Sequence, residues 1–145
     1  MPVYAVRGAI QLQHDTAAAM EQGVSRLFES LLTANDVHED RIVSVVFSQT
    51  QDLCAENPAR ALRRTGAAAG TALFCTQEPT YPDSLPRVVR ILLTFESPRG
   101  GAVHPVYLEG ARRLRPDLSG DGQSGASQGR SATPGGRPPD AAEPS

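Results

Sequence analysis

PRVVRILLTFE, residues 86–96, is the stretch on which the fold turns. Its β-branched and aromatic content and its period of two predict a strand over Val88–Glu96. Val89, Ile91, Leu93 and Phe95 fall on one face, and Val88, Arg90, Leu92, Thr94 and Glu96 on the other. Arg90 therefore stands mid-strand between apolar neighbours. A charge in that setting is costly to bury unless it is paired, so a carboxylate or a ligand must meet it. Glu78 or Glu96 can do so as a purely structural matter, and Arg90 alone does not decide between structure and function.

Working outward, Val3 to Ile10 is strand-like, with Arg7 expected near a strand end. Asp15 is placed to cap a helix running to about Asn35, on which Met20, Val24, Leu27, Phe28, Leu31 and Leu32 share one face. Arg41 to Ser48 carries a nearly continuous apolar run, expected to be buried on both faces. Asn57-Pro58 is a helix start and Gly66 a helix stop, which predicts a short helix over Pro58–Thr65 bearing Arg60, Arg63 and Arg64. Thr71–Cys75 and Val106–Leu108 read as further strands, and Pro79 to Asp83 as a stiff loop. Strands and helices in this order, without a Gly-rich phosphate turn, point to an α+β fold with helices layered on a mixed sheet.

The chain has 145 residues, room for a single globular unit. From Ser119 to Ser145 there is no bulky apolar residue, so we expect a globular domain at 1–118 and a disordered Gly/Ser/Pro-rich tail at 119–145. A net charge of -2 suggests neither a nucleic-acid nor a membrane partner. All 14 basic side chains are Arg, and the absence of Lys excludes Schiff-base and pyridoxal-phosphate chemistry. Arg suits planar carboxylates, but the total count is better explained by a GC-rich genome, and a functional reading is kept for particular positions only. Two cysteines, no secretory leader and no long apolar run lead us to expect a cytoplasmic protein.

His14, His38 and His104 are scattered, none at metal-ligand spacing, so no metal site is expected. Cys75 has no base nominated beside it and reads first as a small strand cysteine. What remains is a set of arginines, Arg7, Arg63, Arg90 and Arg115, on different elements, with Glu78 and Tyr107 near element ends or strands.

VRGA at Val6–Ala9, CTQE at Cys75–Glu78, PRVVR at Pro86–Arg90 and VYLEGARRLRPDL at Val106–Leu118 together resemble the trimeric chorismate mutases of the Bacillus type, in register over residues 1–118. The resemblance implies a homotrimer whose sheets form a pseudo-barrel, with active sites at subunit interfaces, no cofactor, and rearrangement of chorismate to prephenate. It also implies that Arg7, Glu78, Arg90, Tyr107 and Arg115 line the site from one subunit, with Leu114 completing the apolar wall. Ala59, Arg60, Arg63, Phe74 and Cys75 would line it from the neighbour. By the same resemblance Arg90 meets the ether oxygen, Arg7 and Tyr107 hold a carboxylate, Glu78 and Cys75 meet the ring and its hydroxyl, and Arg63 and Arg115 close the site.

The chain departs from the family pattern in places. Asn57 replaces a usual aromatic residue and is better explained as a helix cap, and Arg60 replaces a usual lysine. Pro105 replaces a usual histidine, so the strand after it must begin late or lie at an edge. The rival expectations are a mutase for an amino-substituted chorismate and a non-catalytic carboxylate-binding trimer.

Overall fold

The computed structural model describes residues 1–118. The tail expected at 119–145 lies outside the described residues. Strand β1 (Val3–Gln11), helix α1 (Ala17–Asn35), strand β2 (Ile42–Gln49), helix α2 (Pro58–Arg64) and strands β3 (Ala72–Gln77), β4 (Val88–Glu96) and β5 (Val106–Leu108) follow in that order. Short 3-10 helices occupy Glu39–Arg41 and Glu109–Leu114. The strands form one mixed sheet in the order β3-β2-β4-β1-β5. β4 lies at its centre, antiparallel to β1 and β2, while β3 on β2 and β5 on β1 run parallel.

The alternation of β4 does what its sequence dictates. Val89, Ile91, Leu93 and Phe95 are buried together with Val6, Ile10, Val45 and Phe47 beneath the apolar face of α1. Each such side chain contributes about 1.5–3 kcal/mol by leaving water. Gly8 lets this layer close, because a Cβ there would lie 3.0 Å from Leu31 Cδ1 and 3.0 Å from the Val106 carbonyl oxygen. Pro105 precedes β5, which begins at Val106 and is an edge strand, so the missing donor removes no ladder bond.

Three local expectations are corrected. The cap of α1 is Thr16, whose hydroxyl accepts from Ala19 N at 3.1 Å. Asp15 instead accepts from the backbone N–H groups of Cys54 and Ala55, because a long-range partner outbids the local cap. Arg7 lies in the middle of β1, not near its end, since pairing with β4 extends β1 to Gln11 opposite Val88. β2 is buried on one face only: Val45 and Phe47 enter the core, while Ser44, Val46 and Ser48 remain partly open because both helices cover the same side of the sheet.

Candidate active site

The register of the sheet assembles the site on the face that the helices leave uncovered. Ser48 pairs with Arg90 across β2 and β4, and with Thr76 across β2 and β3. Ala9 pairs with Arg90 across β1 and β4, and with Tyr107 across β1 and β5. One row, Thr76, Ser48, Arg90, Ala9 and Tyr107, therefore crosses all five strands on a single face. The next row is Phe74, Val46, Leu92 and Arg7. Arg7 and Arg90 are thus diagonal neighbours, with the small Ala9 leaving room between Arg90 and Tyr107.

These rows bound a cleft of ≈ 210 Å³ lined by Arg7, Gly8, Val46, Ser48, Arg90, Leu92 and Tyr107. Glu78, just beyond the end of β3, reaches into it: its Oε1 lies 2.6 Å from Arg90 Nε and accepts from the Ser48 hydroxyl. Glu78 is held in place by its own backbone N–H, which donates to the Gln49 carbonyl at 2.8 Å. The ion pair occupies the Nε edge of the guanidinium, and among the described residues no acceptor engages its two terminal amino groups. Both partners are partly exposed, a setting in which an ion pair is worth about 0–1 kcal/mol, so an incoming anion competes at little cost. Arg7 is exposed and has no ion-pair partner among the described residues.

The entry into β4 is fixed by contacts that sequence reasoning missed. Arg87 adopts a left-handed φ of 52°. Its N–H donates to the Asp52 carboxylate at 3.0 Å and its Nε to the Leu12 carbonyl at 2.9 Å. Val88 N donates to the Thr50 hydroxyl at 3.1 Å. Ser48 was missed too, and the signal available for it was a polar residue, shared with Ser44, at the open-face period of an apolar strand.

Arg115 lies beside Tyr107, which lines the cleft. It pairs with Asp117 at 3.1 Å, and Asp117 first, then Tyr107, raise the pKa of its guanidinium above the ordinary value. Leu114 packs with Tyr107 against a small cluster of Ala9, Val88 and Ala111. The chain thus brings together Arg7, Glu78, Arg90, Tyr107, Leu114 and Arg115.

The remaining predicted residues lie elsewhere on the chain. Phe74 is 65% exposed on the open face of the edge strand β3. Cys75 turns the other way and packs against the core, and burial pushes its thiol up, so the thiolate is a minor species near neutral pH. Ala59, Arg60 and Arg63 lie with Asn57 along an open recess on α2. Asn57 caps that helix, its side-chain oxygen accepting from Ala59 N at 2.8 Å and Arg60 N at 3.1 Å. Glu56, which sequence reasoning did not single out, is a buried carboxylate beside it.

His14, His38 and His104 are all exposed, and no three metal-ligating side chains gather among the described residues. Among them, no helix is long and apolar enough to cross a membrane. A smaller cavity of ≈ 80 Å³ lies between Tyr4, Asn35, Arg99 and His104. There Tyr4 Oη donates to the Arg99 carbonyl, and the Asn35 amide bonds both the N–H and the carbonyl of His104, so this corner braces the loop after β4.

Compared with known proteins, residues 3–118 match the family described as chorismate mutase type I. The chain is 38% identical to the chorismate mutase AroH of Thermus thermophilus, over 80% of this chain and 96% of that protein. It is 31% identical to the chorismate mutase AroH of Bacillus subtilis, over 82% of this chain and 94% of that protein. Among solved structures it is similar to a chorismate mutase from Clostridium thermocellum, with a TM-score of 0.72 and 33% identity over 77% of this chain and 99% of that one.

Proposed function

The chain belongs to the type I chorismate mutase family and is an isomerase that rearranges chorismate to prephenate; on that premise we propose which of its residues do so and how. The product feeds the synthesis of aromatic amino acids. In the rearrangement the ether C–O bond breaks as a C–C bond forms within the same molecule, so no nucleophile, acid or base is consumed. The enzyme has only to bind a flexible dicarboxylate, fold it into a compact geometry, and stabilise negative charge developing on the ether oxygen.

The observation that carries the assignment is the grouping of Arg7, Arg90 and Tyr107 on two adjacent rows of the open face, with Glu78 tied to the Nε edge of Arg90. Arg90 donates its terminal amino groups to the ether oxygen and a side-chain carboxylate oxygen. Arg7 and Tyr107 hold the enolpyruvyl carboxylate. Glu78 faces the ring hydroxyl with Cys75 of an adjacent subunit; being already balanced by Arg90, it favours a hydroxyl over an amine at that position. Arg115 and Leu114 close the apolar and cationic wall.

The site is completed by a neighbour in a homotrimer. The uncovered sheet face carries small and apolar side chains, and Phe74 at 65% and Leu92 at 41% exposure are unfavourable on the surface of an isolated protomer. Seating the edge formed by β3 and α2 against a second copy brings Ala59, Arg60, Arg63, Phe74 and Cys75 of one subunit to the cleft of the next. The catalytic domain spans residues 1–118, and the two free cysteines fit a cytoplasmic location.

Magnitudes agree with this scheme. A 10⁶-fold acceleration requires about 8 kcal/mol. One well-placed donor in a water-poor site supplies about 3–4 kcal/mol, and holding the substrate in a reactive geometry can supply the rest. The test is to mix the purified full-length protein with chorismate, follow the loss of its ultraviolet absorbance, and convert the product to phenylpyruvate with acid. Rapid loss that chelators leave unchanged is expected. Chorismate that binds but is not consumed would overturn the assignment in favour of a binding protein.

A further inference from the structure

Glu56 immediately precedes the cap of α2, and its side chain is only 4% exposed. Three donors converge on it. Oε1 accepts from Asn57 N at 2.8 Å and from Arg60 Nε at 2.8 Å, and Oε2 pairs with Arg64 Nη1 at 2.7 Å. The arginines themselves stay in solvent, Arg60 with 66% of its side chain exposed. The arrangement is a buried anchor under an exposed fork. Because the anchor takes Arg60 by its Nε edge, the terminal amino groups point past it, and no acceptor among the described residues engages them.

An arginine on a short helix ordinarily samples many rotamers and loses that freedom when it grips a ligand. Tying Nε to a buried carboxylate removes part of that loss before binding. Arg63, one turn along the same helix, has only a 3.3 Å bond to the Thr71 carbonyl. Arg60 is therefore the more firmly held cation on the face assigned to the neighbouring site. The Asn57 bond shows that Glu56 also serves the start of the helix, so the two roles must be separated by experiment.

We propose that Glu56 is a positioning residue that aims the Arg60 guanidinium at a substrate carboxylate in the adjoining subunit's cleft. The proposal rests on the reading that Arg60 lines that cleft. Steady-state kinetics with chorismate on the full-length Glu56→Gln, Arg60→Ala and double variants test it. Glu56→Gln raises KM about 3- to 10-fold with kcat within about two-fold, and it adds nothing once Arg60 is alanine. Glu56→Asp keeps the charge but draws the carboxylate back from Arg60; it gives the same rise and serves if the Gln variant does not fold. An unchanged KM in the Glu56 variants while Arg60→Ala raises it overturns the proposal and leaves the site reading intact. An equal rise with and without Arg60 overturns it too, showing that Glu56 acts through the fold. No effect of Arg60→Ala on KM removes Arg60 from the site, and the proposal with it.

Discussion

Arg90 occupies a position that β-sheet chemistry ordinarily gives to an uncharged side chain, and its tolerance there comes from what surrounds it. Glu78 balances one edge, Ala9 opposite leaves space, and the open face of the sheet admits an anion to the other edge. If that edge stabilises charge that appears only as the ether bond breaks, its loss falls on kcat. Arg90→Ala is expected to lower kcat about 10²- to 10³-fold, or about 3–4 kcal/mol, while circular dichroism melting and oligomeric state stay near those of the parent. Arg90→Lys keeps the charge but loses the fork, and is expected to recover only part of the activity. A kcat for Arg90→Ala within a few-fold of the parent would remove the residue from the chemistry. Glu56 supplies a second residue-scale test, this time of stability. Its pKa is lowered from 4.5, by the Asn57 N–H first and then by Arg60. The unfolded chain therefore binds a proton on Glu56 at a higher pH than the native one does. The stabilisation is present above pH 4.5 and is lost as pH falls through the depressed native value. Urea midpoints of the parent and Glu56→Gln should differ at pH 7 and converge as the solution is acidified well below 4.5. A gap that persists unchanged to low pH would show that the carboxylate's charge plays no part in it.

At the scale of elements, the VRGA segment shows how one strand serves two faces. Val6 and Gly8 face α1, while Arg7 and Ala9 face the cleft. A Cβ at Gly8 would meet Leu27 and Leu31, which can repack, and the Val106 carbonyl, which belongs to the strand carrying Tyr107. Gly8→Ala should therefore cost about 1–3 kcal/mol in stability, read as a lower Tm, and should raise KM by displacing β5. A lower Tm with an unchanged KM would mean that Tyr107 does not depend on this contact. Legibility in the sequence follows the same division. β4 and β5 have the bounds read from their own residues, and α2 was announced by Asn57-Pro58, because alternation and capping are local signals. The single-sided burial of β2, the central place of Arg7 in β1 and the use of Asp15 by Cys54 and Ala55 were not legible. Each depends on which element lies alongside, and a period of two does not say whether a second layer exists. The candidate site residues came from motifs, but the row that joins Ser48, Arg90, Ala9 and Tyr107 is a property of register across four strands, which no segment carries by itself.

The sheet leaves one face uncovered, and the proposed homotrimer would cover that face and complete the site. In a cyclic trimer each cleft would take Arg90 from one subunit and Arg63 from the next, so a protein defective at either position retains one sound half of every site. Arg90→Ala and Arg63→Ala homotrimers should each be impaired. In trimers assembled from the two variants in equal amounts, by co-expression or joint refolding, about one site in four draws Arg90 from an Arg63→Ala subunit and Arg63 from an Arg90→Ala subunit. Activity should then rise toward about a quarter of the parent's, well above the mean of the two variants measured separately. The experiment is sharper than a measurement of mass, because a trimer with self-contained sites shows no such gain. Thr94→Lys supplies the complementary arm. Thr94 lies on the open face across from Ser44 and Ala5, two residues further along β4 than Leu92 and away from Arg90. A buried lysine there should split the assembly in sedimentation and abolish turnover, although no group assigned to the cleft has changed. Full activity from a monomeric Thr94→Lys protein would show that one subunit's residues suffice and that Arg63 has no place in the site.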